Sequence, residues 1–138
     1  MKHKSPHILV VDDESDLCWA LEEALRPAGY IVTSVNDGQE ALQCIAQQSY
    51  AVAFIDAKIP NGDGLTLASH IRKQSPNTSI VLISGYYYQE DKAINEGLQK
   101  NLFSAFIAKP FDLNEVRMLA RQSVIQNSKA KKCQKHPS

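Results

Sequence analysis

Asp12 and Asp13 in VVDDE, Asp56 in FIDAKIP, Ser84 in LISG and Lys109 in FIAKPF each follow directly on a short apolar run. Brought to one place, these carboxylates, the hydroxyl and the ammonium define a particular chemistry. Clustered acids repel, so Asp12, Asp13 and Asp56 would share a costly site unless a cation compensates them. Every donor is an oxygen, which favours a hard ion such as Mg2+ over zinc. With the ion and Lys109 drawing negative oxygens inward, an incoming phosphoryl group would be held where Asp56 can attack it. Ser84 and the backbone N–H groups after it would donate to a remaining oxygen. Taken singly, each residue has a plainer use. Asp13 or Ser15 can cap a helix, Asp56 can form a turn before Pro60 and Asn61-Gly62-Asp63-Gly64, Ser84 can bond its own backbone, and Lys109 can be a solvated strand end. Their joint placement favours the shared site.

The apolar runs are the elements that must do this positioning. They lie at His7 to Val11, Tyr30 to Val35, Ala51 to Ile55, Ser79 to Ile83 and Ala105 to Ala108, and most are continuous rather than alternating. Strands covered on both faces of a parallel sheet read this way. Helix-period stripes fall between and after them: Leu17, Ala20, Leu21, Ala24 and Leu25; then Ala41, Leu42 and Ile45; then Leu65, Ala68 and Ile71. Ala93, Ile94, Gly97 and Leu98 suggest a fourth, and Leu113, Val116, Leu119 and Ala120 a fifth. Pro27-Ala28-Gly29 ends the first helix, Asn36-Asp37-Gly38 opens the second and Pro76-Asn77 follows the third. The pattern predicts a (βα)5 chain with right-handed crossovers, folded as a three-layer α/β sandwich. Its ligand site belongs at the carboxyl ends of the strands.

Composition sets wider bounds. At 138 residues, 43% hydrophobic and 22% charged, the chain suits one globular domain. Fifteen Lys and Arg balance fifteen Asp and Glu, so no overall field draws it to nucleic acid or an anionic membrane. Cys18, Cys44 and Cys133 have no CxxC spacing, which suits a reducing compartment. No signal peptide or membrane span is read near the start, and a cytoplasmic location is expected. A domain over 1–126 and a disordered polar, basic tail over 127–138 are expected, the tail being too small for an output module.

Together VVDDE at 10–14, FIDAKIPNGDGL at 54–65, LISG at 82–85 and FIAKPF at 106–111 resemble the response-regulator receiver domains of two-component signalling, in particular the free-standing chemotaxis type. The likeness runs from His7 to about Gln126. It implies a doubly wound, flavodoxin-like fold with strand order 2-1-3-4-5. It also implies that Asp56 accepts a phosphoryl group and that Mg2+ is held by Asp13 directly, Asp12 through water, Asp56 and the Lys58 backbone carbonyl. Ser84 takes the place of the switch hydroxyl, Phe106 of the switch aromatic and Lys109 of the phosphate-binding lysine, with a cis bond expected between Lys109 and Pro110. Such a protein is a phosphoacceptor rather than an enzyme with a separate substrate. Its implied partners are a histidine kinase or histidine phosphotransfer protein and a downstream target, with no direct nucleic-acid binding.

Departures from the family pattern bear on tuning. Lys58 and Tyr86, two residues past Asp56 and Ser84, would modulate phosphate lifetime in a direction the sequence leaves open. Leu102-Phe103 replaces a common Gly-Ala pair, and the stretch from Ser84 to Lys109 is longer than usual, which unsettles the register of the fourth helix. Phe106 has a plain alternative as a core strand residue, and Tyr86-Tyr87-Tyr88 as amphipathic side chains over a loop. Against a phosphatase of the haloacid dehalogenase type stands the absence of a DxD motif after the first strand. A nucleotide-binding domain lacks GxxxxGK[ST] and GxGxxG. A receiver fold working as an interaction module without phosphorylation is the remaining alternative.

Overall fold

Five strands form one parallel sheet: β1 (His7–Val11), β2 (Ile31–Val35), β3 (Val52–Asp56), β4 (Ser79–Ser84) and β5 (Ala105–Ala108). Their order across the sheet is 2-1-3-4-5, as expected. The computed structural model describes residues 5–59, 62–85, 92–100, 102–109 and 111–135, with side chains at all of these except 62, 92–94 and 127–135. The helices are α1 (Ser15–Leu25), α2 (Gly38–Gln47), α3 (Gly64–Gln74), α4 (Lys92–Gln99) and α5 (Leu113–Lys135). Among the described residues no helix is long and apolar enough to cross a membrane.

Alternation along the strands explains the layers. In β1, Leu9 and Val11 enter one core with Ala41, Ile45, Ala68 and Ile71, on the side of α2 and α3. Ile8 and Val10 enter the other with Leu21, Leu25, Val116 and Ala120, on the side of α1 and α5. Successive side chains point to opposite faces, so strands buried on both must be apolar at every position. All five residues of β3 are buried, Asp56 among them.

Local chemistry sets the helix starts. Asp37 Oδ1 accepts from Glu40 N at 2.9 Å and Asp63 Oδ1 from Thr66 N at 2.7 Å, capping α2 and α3. At α1 the N-cap is Glu14, whose side chain makes no capping bond. The capping role offered for Asp13 or Ser15 is therefore not the one observed. In the turn after α3, Thr78 Oγ1 donates to Tyr50 O at 2.8 Å, fixing the approach to β4 against the approach to β3.

The expected stripe of α4 changes. Leu98, assigned to the buried stripe of α4, is 38% exposed, and the contact before β5 is made by Gly97 and Phe103. A Cβ on Gly97 would lie 2.8 Å from Phe103 Cζ and closer still to Cε1, so the buried phenyl ring rests on the bare helix backbone. The large residue in place of a small pair is accommodated by a glycine one helix back. Gly97→Ala should cost about 1–3 kcal/mol by overpacking, and Phe103→Ala about 3–5 kcal/mol by cavity formation. In the double variant the new methyl occupies vacated space, so urea unfolding should give less than the sum. Strict additivity would show that the pair does not pack as described.

The backbone of α5 runs to Lys135. Its last stretch, NSKAKKCQK, contains no Gly or Pro, and Ala, Lys and Gln are good helix formers.

Candidate functional site

The carboxyl ends of β1, β3, β4 and β5 bring Asp12, Asp56, Ser84 and Lys109 to one rim. Asp12 directly follows β1, and its N–H donates to Val35 O at 3.1 Å, so the backbone stays in sheet geometry as the side chain emerges. Asp56 is the last residue of β3 and Ser84 the last of β4; they are 6% and 1% exposed. Lys109 follows β5, with its N–H donating to Ser84 O at 2.9 Å.

Asp56 is held at both oxygens. Oδ1 accepts from the Lys58 backbone N–H at 3.0 Å, and Oδ2 accepts from Lys109 Nζ at 3.0 Å. Lys109 Nζ also lies 3.3 Å from Glu14 Oε1 and 3.9 Å from Asp12 Oδ2. Carboxylate oxygens of Asp12, Asp13 and Asp56 all fall within 4.8 Å of one another. Asp12 Oδ1 accepts from Glu14 N at 2.9 Å, but its buried Oδ2 has no hydrogen-bond donor among the described residues. Burial, with the Asp56 charge adding to it, pushes the Asp12 carboxyl up to about 7. The Lys109 ammonium is raised in spite of burial, through its bonds to Asp56 and the neighbouring acids.

An orphaned, desolvated carboxylate oxygen within reach of two further carboxylates is an arrangement that a cation completes. The donor set fits a hard divalent ion such as Mg2+. The Lys58 side chain is exposed. Phe106 is partly buried and packs against the core on the α2 and α3 side, in register with Leu82 of β4.

Across residues 8–121 the sequence matches the family profile of the response regulator receiver domain. The chain belongs to this family. The receiver is 31% identical over 117 residues to the DNA-binding transcriptional regulator NtrC of Escherichia coli K12, covering 85% of this chain and 24% of that regulator. Among solved structures it resembles the signal receiver domain of an HD domain-containing protein from Pseudomonas fluorescens Pf-5, with TM-score 0.85, 26% identity and 96% of each chain covered. It also resembles the response regulator TrrA from Thermotoga maritima in complex with Mg(2+)-BeF, with TM-score 0.73, 28% identity, and 86% of this chain and 98% of that chain covered. The receiver thus spans about a quarter of the curated regulator it matches.

The structure brings together Asp12, Asp13, Asp56 and Lys109, places Ser84 on the adjoining strand end and sets the Lys58 backbone against Asp56. Tyr86 and Pro110, and with them the tyrosine run and the expected cis bond, lie outside the described residues. Two residues were given no role from sequence. Glu14 reaches Lys109, although its place in the DDE run marks it only as a third acid. Gly64 donates its N–H to Ala57 O at 2.8 Å and lies against the backbone of Asp56. The small residue in NGDGL is the only sequence signal of that close approach.

Proposed function

We propose that the receiver takes a phosphoryl group onto Asp56 in a Mg2+-dependent reaction and, so modified, changes its binding of a partner or passes the group on. The observation that carries this reading is the Asp56 carboxylate, buried at a strand end and held by a backbone N–H and an ammonium inside an acid cluster. A structural aspartate has no need of such surroundings. The likeness to a receiver solved with Mg(2+)-BeF supports it, because beryllofluoride has the shape and charge of a phosphoryl group.

In the proposed transfer an Asp56 oxygen attacks the phosphorus of a phosphohistidine. The P–N bond breaks, its electron pair goes to the imidazole nitrogen, and an acyl phosphate remains. Asp13, Asp56 and the Lys58 carbonyl, with Asp12 through water, would hold the Mg2+, whose charge offsets that of the phosphoryl oxygens. Lys58 N–H fixes one Asp56 oxygen so that the other faces the donor. Lys109 exchanges its bond to Asp56 for one to a phosphoryl oxygen, and Ser84 donates to another. The group added carries nearly two negative charges where one stood. As Ser84 moves toward it, Phe106 turns into the vacated space and the face of α4, β5 and α5 changes shape. Coupling of this kind is typically worth about 1–3 kcal/mol, which makes a graded population shift. The donor would be a histidine kinase or a histidine phosphotransfer protein of the cytoplasm.

The test is intact mass after incubation with acetyl phosphate and Mg2+. One phosphoryl adduct is expected, absent when a chelator is included. If neither acetyl phosphate nor a panel of phosphorylated kinases yields an adduct on folded protein, the receiver is an interaction module. Once an adduct is in hand, Lys58→Ala and Tyr86→Ala should each alter its lifetime, and unchanged decay in both would remove their tuning role.

A further inference from the structure

Glu14 stands outside the roles assigned so far. It occupies the N-cap of α1, where a side chain ordinarily turns back to the first helical N–H groups, and it makes no such bond. Its carboxylate instead crosses to Lys109, 95 residues away in sequence, at 3.3 Å. The Lys109 ammonium is thereby divided between Asp56 below and Glu14 above. The Asp56 side chain is 7% exposed and that of Glu14 is 63% exposed, so one partner is fixed within the site and the other lies at its mouth. The Glu14 N–H is tied to Asp12 Oδ1, which leaves the side chain as the movable part.

We infer that Glu14 is a positioning residue that occupies Lys109 as a counter-anion, which an arriving phosphoryl group has to displace. The inference rests on the phosphoacceptor reading above and adds a brake to it. Lys109 must turn from a carboxylate at the mouth to the new anion, and the displaced Glu14 then stands as a like charge beside the incoming group. Release of Lys109 from an exposed ion pair of this kind alters anion affinity by roughly threefold, and salt weakens the effect.

Calorimetric titration of the whole chain separates this from a structural role, with beryllofluoride in saturating Mg2+ as one probe and Mg2+ alone as the other. Glu14→Gln should bind beryllofluoride roughly twofold to fivefold more tightly, with the difference shrinking as salt rises, while Mg2+ alone binds no more tightly. Glu14→Asp keeps the charge but loses the reach to Lys109, so it should shift in the same direction as Glu14→Gln. Beryllofluoride binding that is unchanged or weaker in Glu14→Gln would overturn the inference. So would a Glu14→Asp variant that behaves as the parent, since charge alone would then be responsible. A parent chain that binds no beryllofluoride removes the phosphoacceptor reading, and this inference with it; a parent that binds alongside an unresponsive Glu14→Gln removes the inference only.

Discussion

Asp56→Asn will fold, keep its thermal midpoint close to that of the parent, and take up no phosphoryl group from acetyl phosphate or from a phosphorylated kinase. The substitution keeps the shape of the side chain and one oxygen able to accept from Lys58 N–H. It removes the anionic oxygen that accepts from Lys109 at 3.0 Å and with it the proposed nucleophile. Two effects on stability oppose each other. Losing the lysine pair destabilises, and removing one of three acids whose oxygens lie within 4.8 Å relieves repulsion that includes Asp56 acting on Asp12. Chemistry has no such compensation, because an amide oxygen does not form an acyl phosphate. Intact mass should therefore show a complete loss of adduct, with circular dichroism unchanged. An adduct of the same yield in Asp56→Asn would move the acceptor to another carboxylate of the cluster and overturn the assignment.

Gly64→Ala is expected to harm both fold and chemistry, although residue 64 carries no reactive group. A Cβ there would stand 2.8 Å from Ala57 Cα and closer still to the Asp56 carbonyl oxygen. Both obstacles are backbone, so no side-chain rotation relieves them. Either α3 withdraws from the sheet or the segment leaving β3 shifts, and the Lys58 N–H that fixes Asp56 belongs to that segment. The expected loss is about 3 kcal/mol in urea unfolding, together with a marked fall in phosphorylation rate at temperatures where the variant is still folded. Gly29→Ala is the control. Gly29 has φ of 92° but nothing within 4 Å of its added Cβ, so it should show a strain of about 1 kcal/mol and normal phosphorylation. Equal effects at the two positions would show that the contact with the Asp56 backbone is unimportant.

The parts of this fold that were legible in the sequence are those written in hydrophobic pattern. Continuous runs such as ILVV in β1 and VAF in β3 place strands within a residue of their observed limits, since burial on both faces leaves only apolar side chains. Asp56 stood out for the same reason, as a charge at the end of a segment that otherwise tolerates none. What escaped depended on distance across the fold. Nothing near Glu14 in the chain says that its carboxylate will meet an ammonium 95 residues later rather than cap its own helix. Gly97 and Phe103 form one packing unit, yet each reads alone as a weak helix position and an unusual loop residue.

Strand order assigns the groups of the site to regions of unequal permanence. Asp12, Asp56 and Ser84 leave strands that have a neighbour on both sides, whereas Phe106 and Lys109 belong to or follow β5, which borders a single strand. Backbone amides of β1, β3 and β4 should therefore exchange with deuterium only through global opening, while those of β5 exchange through cheaper local opening. Asp56, the proposed acceptor, rests on the part of the molecule slowest to open, and of the residues proposed to respond to it Phe106 and Lys109, unlike Ser84, sit where loosening is least costly.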